Sequence, residues 1–432
     1  MAAEDFGRRG PARIWLPTAL GSSMLVLEIP VAAAAVARGD GGAAGLAAFG
    51  VSLAVLVVVN SPALALTPLV VSDAGNQPNR RTFGYVLAVG FLTALVLALL
   101  AAVPALFALV RAATNLPAEI GAQVRGCLLA LAPASVAVAV RRYLHGRLIA
   151  ARRTAGISVG TSGRLVLSGC ASWALVLVLP GAGAAVGGIA LTLGAATETA
   201  ILGVAVARLR QPAVAPVAGV GTLVRRHAAL TSTRALNMAP QLITTMAVAR
   251  SALAEPSLIV WPGLYGLLAL FTAPTSDLES VVAGHLRRGG RPRDANRLTL
   301  VLALGFAALY AVVVLSPLGR AYLGGLLGTP ADATTLGLHW APLAIAVPVL
   351  WVLRTGSRGF IIAQGRSAGL LSGVAAHAVA LAGVAAVLAG GPLPGVANAC
   401  LALVAGLLAE SVANAVVLRR AADPRRMAGV LS

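Results

Sequence analysis

Two stretches of one chain carry nearly the same phrase: HGRLIAARRTAG at residues 145–156 and RGFIIAQGRSAG at residues 358–369. Both fit the pattern G-x-x-I-A-x-x-R-[ST]-A-G, both close a long apolar run, and they stand 213 residues apart. The chain around them has 432 residues, is 58% hydrophobic and only 11% charged, and has a mean hydropathy of +0.89. A water-soluble domain could not cover that much apolar side chain with so few polar groups. The expected class is an all-α polytopic membrane protein.

The phrase sets the scale for the rest of the chain. AVAR at 35–38 returns at 247–250, and Pro62, Leu66 and Val70 match Pro274, Leu278 and Val282 at nearly the same offset. Gly194, Glu198 and Arg208 match Gly406, Glu410 and Arg420 in the same way. Low-complexity Ala/Val/Leu sequence gives chance matches easily, but it does not give one nearly constant offset through four helices. We expect two six-helix pseudo-symmetric lobes, residues 1–210 and 223–432, joined by a cytoplasmic linker at 211–222. Stretches of roughly 20 apolar residues, the length that crosses a bilayer, predict twelve transmembrane helices. In the first half they fall near 12–37, 43–72, 83–110, 121–150, 157–180 and 183–207. In the second they fall near 219–250, 255–286, 298–318, 333–364, 368–390 and 394–418. An even number per half sets both halves the same way up, an arrangement of transporters that bind substrate between halves and rock around it.

All 33 basic residues are arginine. Without lysine, a Walker-type phosphate loop and Schiff-base chemistry are both excluded. The net charge of +19 is not laid out as a basic strip with interleaved aromatics, so no nucleic-acid partner is expected. With the N-terminus inside, 22 arginines fall on the inner side and five on the outer. That bias predicts a multi-pass protein of the plasma membrane with both termini cytoplasmic. The opening MAAEDFGRRGPARIW lacks a leader cleavage pattern, so the first helix is expected to stay in the protein. Cys127, Cys170 and Cys400 lie far apart in apolar runs, which suits packing and not a disulfide or metal site.

Charges inside the spans are the candidate functional residues. Arg354 and Arg358 lie one helical turn apart on one face, and Arg141 and His145 occupy the same places in the first half. A charge at that depth is costly in lipid and should face a wet interior. Guanidinium forks there suit phosphate or carboxylate. Snorkelling to the inner headgroups is the competing reading, above all for Arg142 and Arg147. Arg234, in the middle of the seventh span, completes the substrate-binding candidates Arg141, His145, Arg234, Arg354 and Arg358. Glu28 is either a coupling residue for H+ or Na+ or a structural partner for a buried arginine. Asp277 and Glu279 are two apart and point to different faces, which argues against a catalytic carboxylate pair and leaves them as further coupling candidates. We expect no enzymatic activity and no cofactor beyond such an ion. Pro62 and Pro274 are expected to bend the second and eighth helices. Glu198 and Glu410, each followed by a hydroxyl residue, read as ties between helices. His227, His285 and His339 read as interfacial histidines.

Beyond the two phrases, four segments carry a wider likeness: 46–72 (LAAFGVSLAVLVVVNSPALALTPLVVS), 232–253 (STRALNMAPQLITTMAVARSAL), 262–282 (PGLYGLLALFTAPTSDLESVV) and 406–420 (GLLAESVANAVVLRR). Together they resemble the progressive ankylosis (ANK) family, within the MATE-like fold of the multidrug/oligosaccharidyl-lipid/polysaccharide (MOP) exporter superfamily. The resemblance implies a two-lobed exporter of small anions such as pyrophosphate, citrate or ATP, acting as a monomer in the lipid bilayer. The family's P-x-S-D element matches Pro274, Ser276 and Asp277. The first half instead reads Pro62, Ala63, Leu64, Ala65 and lacks the acid. The superfamily also implies an alternative, a flippase for a lipid-linked oligosaccharide or pyrophosphate-bearing lipid. A hydrophobic track between the first and eighth helices would favour that alternative.

Overall fold

The computed structural model describes residues 11–73, 80–151, 153, 155–209 and 219–422, and the regular structure among them is helical. The long helices of the first half are α1 (Pro11–Arg38), α2 (Gly42–Val59), α3 (Arg80–Ala102), α4 (Ala118–Ala150), α5 (Ala155–Val178) and α6 (Ala185–Ala207). Those of the second are α7 (Val220–Arg250), α8 (Ala254–Thr272), α9 (Pro292–Leu315), α10 (Ala346–Ala363), α11 (Ser367–Ala389) and α12 (Gly395–Ala422). Among the described residues ten segments are long and apolar enough to cross a membrane. They are α2 to α6, α8 with its continuation to Arg287, α9, α10 with the helix from Ala331 that leads into it, α11 and α12. The other two long helices, α1 and α7, have 28 and 31 residues. The α7 sequence mixes Arg225, Arg226, Arg234, Asn237 and Gln241 into its length. Most of the linker expected at 211–222 lies outside the described residues.

Large apolar side chains turn outward along these helices; Leu177 is 83% and Val387 80% exposed. In water such a surface would drive aggregation, whereas lipid tails cover it at no cost. Within the first half α6 packs on α4 and α5, and α3 on α4. Within the second α12 packs on α10 and α11. The halves meet where α2 and the segment Ser61–Leu64 touch α7, where α2 touches α8, and where α1 touches α8 and the turn Ala273–Thr275.

The repeated phrase does two structural jobs. At its end it stops the helix: α4 ends at Ala150 and the Arg153 N–H returns to the Leu148 carbonyl at 2.9 Å, while α10 ends at Ala363 and the Arg366 N–H returns to the Ile361 carbonyl at 3.2 Å. Such back-bonds satisfy carbonyls that a helix end leaves open. In the second copy Gly365, at φ +72°, supplies the left-handed step that this closure needs. At the front of the phrase, glycine lets two backbones meet. A Cβ on Gly146 would lie 2.8 Å from the Val70 Cβ and 3.2 Å from the Thr67 carbonyl oxygen. One on Gly359 would lie 2.6 Å from the Val282 Cβ and 2.8 Å from the Glu279 carbonyl oxygen. These are the crossings of α4 over the segment Leu66–Asp73 and of α10 over Leu278–Arg287. Small residues are what allow membrane helices to cross this closely.

Those two crossed segments are the broken-off continuations of α2 and α8. The α2 helix stops at Val59, resumes as Ser61–Leu64 around Pro62, and stops again before Leu66–Asp73. The α8 helix passes through a tight turn, Ala273–Thr275, that holds Pro274, before Leu278–Arg287. Proline lacks the N–H of the helical ladder and its ring crowds the preceding turn.

Replacing Gly359 by leucine should cost about 1–3 kcal/mol through overpacking, read as a lower thermal unfolding midpoint in detergent. Gly383 on α11 has open space around it, so Gly383→Leu serves as the control. Equal midpoints for the two variants would remove the crossing from the account.

Candidate functional site

Each half is built around one glutamate that is fully buried, Glu198 on α6 and Glu410 on α12. In the first half Arg141 of α4 reaches Glu198 Oε2 at 2.8 Å and His145, one turn on, lies 3.3 Å from Oε1. Arg164 of α5 stands 3.4 Å from the same carboxylate, and its Nη2 is 2.6 Å from Glu28 of α1. In the second half Arg354 and Arg358 of α10 approach Glu410 at 2.6 and 2.5 Å, and His377 of α11 at 3.1 Å. His377 follows Arg164 by 213 residues, so the same three places around the carboxylate hold basic side chains in both halves. A glycine one turn ahead of each glutamate brings the neighbouring helix in. A Cβ on Gly194 would lie 2.9 Å from the Ser168 Cβ, and one on Gly406 2.9 Å from the Leu381 Cβ.

Arg141 and His145 were expected to reach into the space between the halves. They are instead 4% and 9% exposed and folded onto Glu198 inside the first half. An uncompensated charge at this depth costs more than an ion pair does, so the buried carboxylate captures them. Arg354 and Arg358 are captured likewise by Glu410, but their surroundings differ. Where the first half offers Glu28, the second has Pro240 at the matching position, and α7 supplies a neutral amide instead. Asn237 Oδ1 accepts from Arg354 Nη2 at 2.8 Å and from Arg358 Nη2 at 3.3 Å. Glu279 stands off at 3.8 Å from Arg358. Two arginines therefore share one close carboxylate beside a cavity of about 230 Å³ lined by Asn237, Gln241, Ser276, Trp351, Arg354 and His377. The Arg354 guanidinium lies 4.6 Å from the centre of the Trp351 ring, which holds it at the cavity wall.

A second group of charges sits where the halves face each other. Arg142 follows Arg141 on α4, and Arg234 lies on α7. The buried Nε of each has no hydrogen-bond partner among the described residues. Asp277 interacts at longer range with Arg142, and Glu279 with Arg234. The Ser22 hydroxyl of α1 donates to Asp277 Oδ2 at 3.4 Å. The structure thus gathers Arg234, Arg358, Asp277 and Glu279 from the expected residues, separates Arg141 and His145 from them, and gives Glu28 to Arg164.

The residues alone favour snorkelling for Arg142 and assign no role to Arg164, Asn237 or His377. The signal for Arg164 and His377 was present, a basic residue at both ends of the repeat offset within a span. His227 is 4% exposed; its ring nitrogens contact Tyr85 Oη at 2.6 Å and the Pro62 carbonyl at 2.8 Å. At the same relative place in the first half, Trp15 Nε1 donates to the Pro274 carbonyl at 2.8 Å. These bonds tie α7 and α1 to the breaks in the opposite half's α2 and α8.

No protein-family model matches the chain, and no curated protein matches it by sequence. Solved structures do match by shape. An inward-facing multidrug-resistance MATE transporter of the MOP superfamily aligns with a TM-score of 0.71 at 11% identity, over 92% of this chain and 94% of that one. The lipid II flippase MurJ in an inward-closed conformation gives 0.66 at 11% identity, over 92% and 86%. A MOP superfamily transporter from Pyrococcus furiosus, described as having a binding pocket of reverse polarity, gives 0.66 at 13% identity over 96% of each chain. At such identities the likeness shows the fold, which is MATE-like.

Removing the carboxylate at the centre of a cluster should be severe. Glu410→Gln strands Arg354, Arg358 and His377 and is expected to destabilise the protein by about 3–5 kcal/mol, measured as a fall in its thermal unfolding midpoint. A midpoint equal to that of the parent would mean that the cluster does not hold the second half together.

Proposed function

We propose that the chain is a secondary transporter that carries a small anionic solute by alternating access between two six-helix lobes of a twelve-helix bundle. The observation that carries this reading is the pair Arg142 and Arg234. They come from opposite halves, each keeps a buried Nε without a hydrogen-bond partner, and neither has a carboxylate within ion-pair distance among the described residues. Like charges repel strongly in a medium of low dielectric, so such a pair persists where an anion or well-held water can lie between them. Guanidinium forks favour phosphate and carboxylate groups, which suits solutes of the pyrophosphate, citrate or nucleotide class. The cavity beside Arg354 lies along the same helix as Arg234 and gives the remainder of a solute somewhere to sit. Shape similarity to transporters supports the cycle, and the Pyrococcus furiosus protein's description supports the idea that pocket polarity varies on this fold.

Under this reading, an anion at Arg142 and Arg234 offsets the positive charge near Asp277 and Glu279, and those acids then take up H+ or Na+ more readily. Glu28, clamped by Arg164 at 2.6 Å, is the coupling candidate with the stronger structural duty. The arginine bias supports a plasma-membrane setting with both termini cytoplasmic, and a single chain supplies the whole site.

A second reading, flipping of a pyrophosphate-bearing lipid, is favoured by one observation. An apolar cavity of about 170 Å³ lies between α1 and α8, lined by Val26, Pro30, Trp261, Tyr265 and others. Its apolar lining suits a hydrocarbon segment.

Proteoliposomes loaded in turn with labelled pyrophosphate, citrate and nucleotide test both readings. The parent should move at least one of them, and Arg142→Gln/Arg234→Gln should reduce the rate at least tenfold. Parental rates in that folded variant would sink the anion site. Movement of a pyrophosphate-bearing lipid across the bilayer, with every soluble anion left behind, would replace the first reading with the second.

A further inference from the structure

Far from the charge clusters, two more arginines occupy matching places. Arg38 ends α1 and Arg250 ends α7. Arg38 donates from Nη1 to the Leu326 carbonyl at 2.5 Å and from Nη2 to the Gly325 carbonyl at 2.7 Å, both in the turn Ala321–Leu326 of the second half. Arg250 donates from Nη2 to the Ala112 carbonyl at 2.7 Å and from Nη1 to the Ala113 carbonyl, both in the last turn of the short helix Pro104–Thr114 of the first half. Each guanidinium also bonds a carbonyl one turn back in its own helix, Ala34 at 2.8 Å and Met246 at 3.3 Å. The Asn115 amide adds a bond to the Ala249 carbonyl at 3.0 Å. The carbonyl partners of the two arginines correspond at the repeat offset of 212 or 213 residues. Each half therefore sends one guanidinium to cap open carbonyls at the C-terminal end of a helical turn in the other half. Such carbonyls lack intrahelical donors and carry the negative end of the helix dipole.

We propose that Arg38 and Arg250 are positioning residues of the transport cycle. They form a paired latch that holds the halves together at the face remote from the arginine-rich linkers, and it must release before the central site opens to that side. The proposal rests on the alternating-access reading above. Four cross-half hydrogen bonds from charged donors stand at one end of the molecule. At the other end Trp15 and His227 make the matching pair of bonds to the Pro274 and Pro62 carbonyls. A rigid rotation of one half against the other that lengthens one set leaves the opposite set in place. Both arginines are exposed, so water can take over their donors on release, which keeps the latch reversible.

The test reads separation directly. Gly181 and Gly390 lie at the turns after α5 and α11, in open space, at the same end as Arg38 and Arg250. Gly183 touches Gly41 beside Arg38, and Pro394 pairs with Ala252 beside Arg250. Spin labels on Gly181→Cys and Gly390→Cys, with the three native cysteines replaced, report the distance between the halves in lipid nanodiscs. Arg38→Gln/Arg250→Gln should raise the ratio of long to short distances about tenfold or more, as expected for losing charge-assisted hydrogen bonds. The single variants Arg38→Lys and Arg250→Lys keep the charge and lose the fork. They should shift the ratio in the same direction by less, and they keep the test open if the double variant folds poorly. An unchanged distance distribution in folded variants overturns the latch. A widened distribution in a protein that moves no anion leaves the latch standing and rejects the proposed substrate.

Discussion

A full charge in an apolar slab must be partnered or wetted, and the architecture follows from how this chain meets that requirement. Glu198 and Glu410 each hold basic groups from the two helices packed on their own. Three helices per half are thereby fixed in rotation about their axes, which apolar packing alone does not do, because lipid tails and leucine side chains are equally good neighbours. The glycines at 194 and 406 belong to the same solution, since the carboxylate reaches its partners only when the helices come close.

The clusters around Glu198 and Glu410 share one arrangement and differ in one partner. In the first half a second acid, Glu28, completes the charge balance around Arg164 and the cluster is closed. In the second the matching position is proline, the neutral Asn237 takes the acid's place, and a cavity opens beside Arg354. One close carboxylate fewer leaves Arg354 and Arg358 sharing Glu410 at the cavity wall. The arginines at the seam, Arg142 and Arg234, add to that positive charge from both sides.

Much of this was legible in the residues. Apolar run lengths gave the helices, the phrase at 145 and 358 gave the stop after α4 and α10, and Pro62 and Pro274 marked the breaks. The ties made by Glu198 and Glu410 were also readable from their position beside basic spans. What could not be read was the rotation of α4. Neighbours on a helix differ in direction by about 100°, from 3.6 residues per turn. The repeat singles out Arg141 by its match to Arg354, but it does not say which way either neighbour points: Arg141 is buried against Glu198, and Arg142 turns to the seam. The bonds of Trp15, His227, Arg38 and Arg250 were hidden for a different reason. Their acceptors are main-chain oxygens, and an acceptor that every residue owns leaves no mark in a sequence.

The close crossings at Gly146 and Gly359 also decide what can move. The segment Leu66–Asp73 is pressed against α4 at backbone distance, while α2 above the break packs on α7 and α8. Leu278–Arg287 is pressed against α10 in the same way. Chain continuity and mechanical continuity therefore part at the residues around Pro62 and Pro274. The lower pieces are cargo of α4 and α10, and the short breaks act as joints between two rigid bodies. A swing of α4 would carry Arg142 and Leu66–Asp73 together as one lever, with its pivot at a proline on a different helix.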